Sequence, residues 1–406
     1  MMKILVLNCG SSTLKFQLIE TASGSSVTRS DRKLARGIVD RIGQAASYRF
    51  EAQGGSADEQ IVPVDNHEEA VRLVIEWLNL HPELSGFDAV GHRVVHGGDR
   101  FTTSMLIDDQ TLGVLDELSD LAPLHNPAAV SGIRAIRKIL GPSIRMVAAF
   151  DTSFHHTIPE HAATYAIPYE LSLKHKIRRY GFHGLAHEYS ALRYGELTGT
   201  PKERINIVTL HLGNGCSACA IQHGQSVDTS MGFTPLEGLV MGTRSGDLDP
   251  AIVGYLAEKE RVSANQVEHW LNTRSGLLGL SGLSNDMREL MAQYDENPRA
   301  RLAVNVFGYR ARKYLGAYLA ALSGAEAVIF SGGIGENAPL VRKLICEGME
   351  WCGLTLDLRL NATITGRDGE LSAPDSRLKV FVIHTDEEAI IARETATLVQ
   401  DKAENP

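Results

Sequence analysis

Cysteine is scarce in this chain: Cys9, Cys216, Cys219, Cys346 and Cys352 are five among 406 residues. An odd, scattered set excludes the disulfide framework of a small secreted domain. Cys216 and Cys219 form one C-x-x-C pair with no second pair to complete a four-ligand zinc site, so they read as small residues on a strand after a turn. No run of about 18 apolar residues occurs, and no basic segment leads into an apolar one near Met1. A membrane span and a secretory leader are therefore not expected, and a cytoplasmic location is. Basic charge is not in excess: 40 Lys and Arg face 49 Asp and Glu, a net charge of −9. That balance argues against a sequence-independent nucleic-acid binder, while leaving room for a local cationic cluster that takes a small anion. Repeats of 20–50 residues and low-complexity tracts are also lacking.

What is present is an ordinary globular composition, 43% apolar and 22% charged, long enough for two or three domains. Met2–Asn8 reads as a buried strand, and Leu14–Glu20 as an edge or half-buried one. Residues 37–49 read as further strand, with polar loops at 21–32 and 51–60. A helix over 67–80, a strand over 87–95, helices from Asp109 and from Asn126-Pro127, and a strand ending at Asp151 follow. The second half repeats the pattern: strands over 205–212, 217–222 and 225–229, helices near 249–258, 264–272 and 299–322, a strand over 325–330, a strand over 378–384 and a helix over 386–399. The expected fold class is α/β, a duplication with mixed sheets flanked by helices.

Two loops of small residues lie between strands, Asn8-Cys-Gly-Ser-Ser-Thr-Leu-Lys15 and His211-Leu-Gly-Asn-Gly215. Such turns let backbone N–H groups face an anion unobstructed. Neither has the spacing of a P-loop, and each alone reads equally as a hairpin. Ser11, Ser12 and Lys15 are candidate phosphate contacts. Ser331-Gly-Gly-Ile-Gly-Glu-Asn337 follows a strand and precedes a helix, but lacks the full dinucleotide fingerprint. Arg93 and Arg244 each stand among glycines, where a guanidinium fork suits carboxylate or phosphate. Arg178-Arg-Tyr-Gly-Phe-His183 and Leu121-Ala-Pro-Leu-His125 add histidines. Asp151 ends an apolar strand, where ligand chemistry concentrates in α/β sheets. His155-His156 does not read as a two-ligand metal site, because neighbours on a strand face opposite ways. Thr385-Asp-Glu-Glu388 reads as a helix cap with acidic first-turn residues that could also hold Mg²⁺.

Together with Gly91-His-Arg-Val-Val-His-Gly-Gly98, Pro123-Leu-His-Asn-Pro127, Phe150-Asp-Thr-Ser-Phe-His155 and Gly242-Thr-Arg-Ser-Gly-Asp-Leu-Asp-Pro250, these motifs resemble the acetate kinase family from about Lys3 to about Thr397. The resemblance implies duplicated actin-like, ribonuclease H-like domains around a central cleft: residues 1–150 with 386–406 on the acyl side, and 151–385 on the nucleotide side. It implies reversible phosphoryl transfer from ATP to acetate, giving ADP and acetyl phosphate. The implied cofactors are ATP/ADP and Mg²⁺, with Mn²⁺ able to substitute. The implied partners are small molecules and a second copy of the chain in a homodimer, with no nucleic acid and no membrane. Asp151, His183, Arg244 and Arg93 would be the catalytic residues, Arg93 holding the acyl carboxylate. Val95, Leu124, His125, Phe182 and Pro235 would complete the acyl site. Ser11, Ser12, Lys15, His211, Leu212, Gly213, Asn214, Gly215, Asp286, Met287, Arg288, Gly333, Ile334, Gly335, Glu336 and Asn337 would bind nucleotide, and Asn8 and Glu387 would position the metal. Thr13 and Met287 depart from the family's usual Ser and Phe without touching the reaction. The rival readings are a propionate or butyrate kinase, a pyrophosphate-using variant and an ATP-gated interaction protein of the actin/Hsp70 type.

Overall fold

The structure, a computed structural model, describes residues 1–22, 31–120, 122 and 126–404. The chain divides into two compact units, Met1–Phe154 with Asp386–Pro406, and His155–Thr385. The division falls after Phe154, so Asp151 belongs with the first unit.

The first unit is built on an eight-stranded sheet in the order β5-β4-β3-β2-β1-β6-β8-β7. The strands are β1 Met2–Cys9, β2 Thr13–Thr21, β3 Arg32–Asp40, β4 Ser47–Ala52, β5 Asp58–Ile61, β6 Ala89–Val94, β7 Met105–Leu106 and β8 Arg145–Phe150. The second unit has six strands in the order β11-β10-β9-β12-β14-β13. These are β9 Ile207–Leu212, β10 Cys216–Gln222, β11 Gln225–Thr229, β12 Ala327–Ser331, β13 Gly369–Glu370 and β14 Lys379–Val382. In the first unit β3, β2 and β1 run antiparallel to one another, and β6 and β8 continue parallel to β1. In the second, β11, β10 and β9 are antiparallel, and β12 and β14 continue parallel to β9. The same five-strand core thus occurs twice, which is the duplication expected from the two glycine loops.

The residues explain the layers. Ile4, Leu5, Val6 and Leu7 of β1 are all buried, as a central strand covered on both faces requires. On one face of that sheet lie the helices His67–Asn79 and Asn126–Leu140. The first opens on Asn66, whose Oδ1 accepts from the Glu69 backbone N–H at 3.0 Å. It buries Ala70, Val71, Val74, Ile75 and Leu78, the stripe that a 3.6-residue period predicts. Phe16, Phe50 and Trp77 pack together there, with ring centroids 5.1 Å apart for the phenylalanine pair and 5.4 Å for Phe50–Trp77. The other face takes the C-terminal helix Glu387–Glu404. A Cβ on Gly91 of β6 would stand 2.6 Å from Thr395 Oγ1 and 2.7 Å from Ile391 Cγ2. Glycine lets this helix seat against the strand, and that contact fixes where Glu387 lies.

Several local expectations differ from what forms. β2 lies inside the sheet between β1 and β3, because Leu14, Phe16 and Leu18 all face the core. Residues 37–49 contain the end of β3, a turn and the start of β4, not one strand. Part of the 51–60 segment is strand, and much of the 21–32 segment lies outside the described residues. His155 and His156 lie in a short 3-10 turn, Ser153–Thr157, so the strand argument did not apply to them. The helix Gly184–Thr198 was missed altogether: its apolar period is masked by Gly184, His187, Ser190 and Gly195, which are buried without being apolar. No helix among the described residues is long and apolar enough to cross a membrane.

Phe50→Ala should remove about 3–5 kcal/mol from the stability of the first unit, since the ring is fully buried among three aromatic neighbours, Phe16, Tyr48 and Trp77. Urea unfolding followed by tryptophan fluorescence checks this; a loss below about 1 kcal/mol would mean that the cluster is not packed as described.

Candidate active site

In the first unit the parallel strands β1, β6 and β8 end together, and the charged residues gather at their carboxyl ends. Arg93 is the fifth residue of β6, and Asp151 follows β8 with its N–H donated to the Val94 carbonyl at 3.0 Å. Arg93 Nε and Nη2 donate to the two oxygens of Asp151, both at 2.8 Å, and Nη1 meets Glu387 Oε2 at 2.8 Å. Glu387 opens the C-terminal helix, capped by Asp386, whose carboxylate accepts from the Ala389 N–H and pairs with Lys33 at 2.6 Å. The expected acidic cap therefore forms. Burial pushes the Glu387 carboxyl up, Arg93 opposes this, and Asp151 adds to it. Burial also raises Glu388, and the Glu387 charge raises it further. Burial would lower the Arg93 guanidinium, but the Asp151 and Glu387 charges outweigh it and hold it above its ordinary value.

Four carboxylates here, Asp151, Asp386, Glu387 and Glu388, face three cations, Arg93, Lys15 and Lys33. Asn8 pairs with Lys15 across β1 and β2, close to the loop in which Ser11 and Ser12 are exposed. Among the described residues no three or more His, Cys, Asp or Glu side chains are arranged to hold a metal. A surplus carboxylate with an amide nearby is still the donor set that Mg²⁺ accepts, since that ion keeps most of its waters. Val95 follows β6 half-buried; Leu124 and His125 lie outside the described residues.

In the second unit the loop after β9 is the centre. The N–H of Gly213 donates to the Gly215 carbonyl at 3.0 Å, and Cys216 Sγ donates back to the Gly213 carbonyl at 3.1 Å. A Cβ on Gly215 would lie 2.9 Å from Arg244 Nη2 and 3.3 Å from both Nε2 and Cε1 of His183. Loop, guanidinium and imidazole thus meet at one point. Arg244 Nη1 donates to the Pro235 carbonyl at 2.6 Å, and no carboxylate pairs with Arg244 among the described residues. Burial lowers its pKa from the ordinary guanidinium value. His183 caps the helix Gly184–Thr198 in the left-handed region, φ 58°. Its ring lies 5.0 Å from that of His211, whose Nδ1 is 3.2 Å from Ser331 Oγ. Phe182, 1% exposed, and half-buried Pro235 flank these groups in sequence.

A cavity of about 470 Å³ opens beside the loop. Of the expected nucleotide residues it is lined by Gly213 and Asn214, by Asp286, Met287 and Arg288, and by Gly333, Ile334 and Asn337. The segment Gly332–Asn337 forms a short helix where a loop was expected, and it turns Gly333, Ile334 and Asn337 outward. Gly335 and Glu336 face in. Glu336 is 5% exposed and accepts from the Gly332 and Thr385 N–H groups while meeting His384 Nδ1 at 2.6 Å. Leu212 is buried in β9, with its carbonyl end leading into the loop. Sequence reasoning missed Asn285, which donates to Asn214 Oδ1 at 2.9 Å, and Met291, one turn beyond Met287. An i, i+4 spacing from Met287 on a short helix was the available signal.

The pair Cys216 and Cys219 lies on β10 as small buried residues, and all five cysteines are free thiols. Burial pushes Cys9, Cys216 and Cys346 up to about 12, and Cys219 higher. At pH 8 the native protein should therefore give Ellman's reagent at most the partly exposed Cys352, and all five thiols after unfolding in urea. Rapid native reaction of two or more would contradict this burial.

The family model described as the Acetokinase family matches residues 3–393. The chain is 50% identical to the acetate kinase of Chloroherpeton thalassium, over 99% of this chain and 100% of that one. It is 52% identical to the acetate kinase of Solibacter usitatus, over 98% of each. Among solved structures, Porphyromonas gingivalis acetate kinase superposes with a TM-score of 0.90 at 40% identity, covering 98% of this chain and all of that one. A propionate kinase from Francisella tularensis gives a TM-score of 0.90 at 38% identity, covering 97% and 99%.

Proposed function

Because the chain belongs to the acetokinase family, we propose that it transfers the γ-phosphoryl group of ATP reversibly to the carboxylate of acetate, giving ADP and acetyl phosphate. It is a phosphotransferase with a carboxyl acceptor. The observation that carries the reading is the meeting of Arg244, His183 and the glycine loop at one point, with no carboxylate on Arg244 among the described residues.

Acetate is already ionised near neutral pH, so no strong base is required. The difficulty is bringing one anion to another. In the second unit the cavity beside Asn214 and Gly333 takes the nucleotide. Arg244 and His183 then face the phosphoryl oxygens, where charge spreads in the transition state. In the first unit Arg93 takes the acetate carboxylate. A guanidinium has five N–H donors. Asp151 engages two and Glu387 one, leaving two for a ligand. Both Asp151 oxygens lie on Arg93, which suits an orienting carboxylate rather than a base. Lys15, Ser11 and Ser12 offer further donors to phosphate. Glu387, with Asn8 as a neutral donor, would hold Mg²⁺ or Mn²⁺ at this surplus of negative charge, and the ion would supply positive charge to offset that of a phosphate. Val95 offers apolar surface in the first unit, and Phe182 and Pro235 offer it in the second. One further methylene is worth about 1–3 kcal/mol in an apolar pocket, so propionate should react more slowly. The homodimer and a cytoplasmic setting rest on the family.

Formation of acetyl hydroxamate from acetate, ATP, Mg²⁺ and hydroxylamine tests the reaction; a preparation that folds but forms none refutes it. Arg244→Ala should fold normally and lose about 10³–10⁵ in kcat. A rate near that of the parent would remove Arg244 from phosphoryl transfer. Arg93→Ala should chiefly raise the KM for acetate, and an unchanged KM with normal ATP binding would count against its role.

A further inference from the structure

Behind His183 runs a chain of side-chain hydrogen bonds. His183 Nδ1 lies 2.9 Å from Ser217 Oγ. The same hydroxyl lies 2.8 Å from Nε2 of His187, and Nδ1 of His187 lies 2.7 Å from Thr209 Oγ1. The helix Gly184–Thr198 brings His187 one turn past His183, β9 carries Thr209 and β10 carries Ser217. His187, Thr209 and Ser217 are wholly buried.

Proton counting gives the chain a direction. Each hydroxyl has one hydrogen to donate, and a neutral imidazole donates from one nitrogen and accepts at the other. Burial holds His187 neutral, with smaller contributions from His155 and His211. Two arrangements keep the Ser217 hydrogen within the chain; a third, in which Ser217 accepts from both imidazoles, leaves its buried hydroxyl hydrogen without an acceptor among the described residues. In one, Thr209 donates to His187 Nδ1, His187 Nε2–H donates to Ser217, and Ser217 donates to His183 Nδ1. In the other, every hydrogen points the opposite way, and the Thr209 hydroxyl must find an acceptor elsewhere. It has none among the described residues, and a buried donor left unmade is costly. The first arrangement leaves the hydrogen of neutral His183 on Nε2, the atom 3.3 Å from the point where a Gly215 Cβ would stand. The second would turn a lone pair toward that point. Arg244 and His211 also face this imidazole.

We propose that Thr209, His187 and Ser217 are positioning residues that fix His183 as the Nε2–H tautomer, so that the neutral imidazole already offers a hydrogen bond to the phosphoryl oxygens. None of the three touches substrate. The benefit to catalysis rests on the phosphoryl-transfer reading above, whereas the tautomer does not. The same contact helps to hold His183 in a backbone conformation that non-glycine residues rarely adopt.

Long-range ¹H–¹⁵N spectra of the full-length, ¹⁵N-histidine-labelled protein at pH 8 read the tautomer directly, with His183 assigned by its loss in His183→Gln. The expected result is a protonated Nε2 and a bare Nδ1. A protonated Nδ1 on neutral His183 overturns the proposal whatever the variants do. Ser217→Ala should give mixed tautomers and a kcat about tenfold lower, with the KM values for ATP and acetate within twofold. Thr209→Val should move both readings the same way, and Thr209→Ser should restore both. Tautomers unmoved by Thr209→Val and Ser217→Ala would also overturn it. If the parent protein shows the Nε2–H form but no acetate-dependent activity, the reaction is wrong and the chain stands.

Discussion

Removing a guanidinium from water without giving it a carboxylate costs stability, because the charge loses hydration that nothing of opposite sign replaces. Arg244 is held in that condition among the described residues. The Pro235 carbonyl offsets part of the cost, and burial has already lowered the pKa. Under the proposed function, what remains would be recovered when an anion arrives. The surrounding features follow from keeping room for that anion: a loop with no Cβ at Gly215, an imidazole held edge-on in a left-handed backbone, and a buried polar chain behind it.

The first unit uses the same strand topology in the opposite electrostatic regime. Its charged cluster also sits at the carboxyl ends of the parallel strands, where α/β sheets place their ligands. Here, however, Arg93 is held by two carboxylates, and acids outnumber bases in the cluster. One copy of the duplicated core therefore presents a cation awaiting an anion. The other presents an oriented fork within an acidic setting suited to a hard metal ion. The proposed reaction calls for both kinds of setting, one for a phosphoryl donor and one for a carboxylate acceptor.

Much of this was legible in the residues. Continuous apolar runs marked β1, β8, β9 and β12, and glycine marked the loops, because both signals are local. The Gly184–Thr198 helix was not legible, since Gly184, His187, Ser190 and Gly195 interrupt Leu185, Ala186, Ala191 and Tyr194 on its buried face and blur the apolar period. The inward turn of Glu336 was equally hidden: its partners, His384 and the Thr385 N–H, are distant in sequence. The motif matches placed Arg93, Asp151 and Glu387 near one chemistry without showing that they bind one another. That contact depends on the close seat of the last helix on Gly91, a tertiary fact.

The most direct measurement of the role given to Arg244 is ¹⁹F NMR of the protein with ADP, Mg²⁺, acetate and aluminium fluoride, a planar mimic of the transferring group. The expected result is a set of bound fluorine resonances in the parent protein that disappears in Arg244→Ala while ADP still binds. Unchanged bound resonances in that variant would contradict the claim that an unpaired, half-buried guanidinium holds the phosphoryl group in flight.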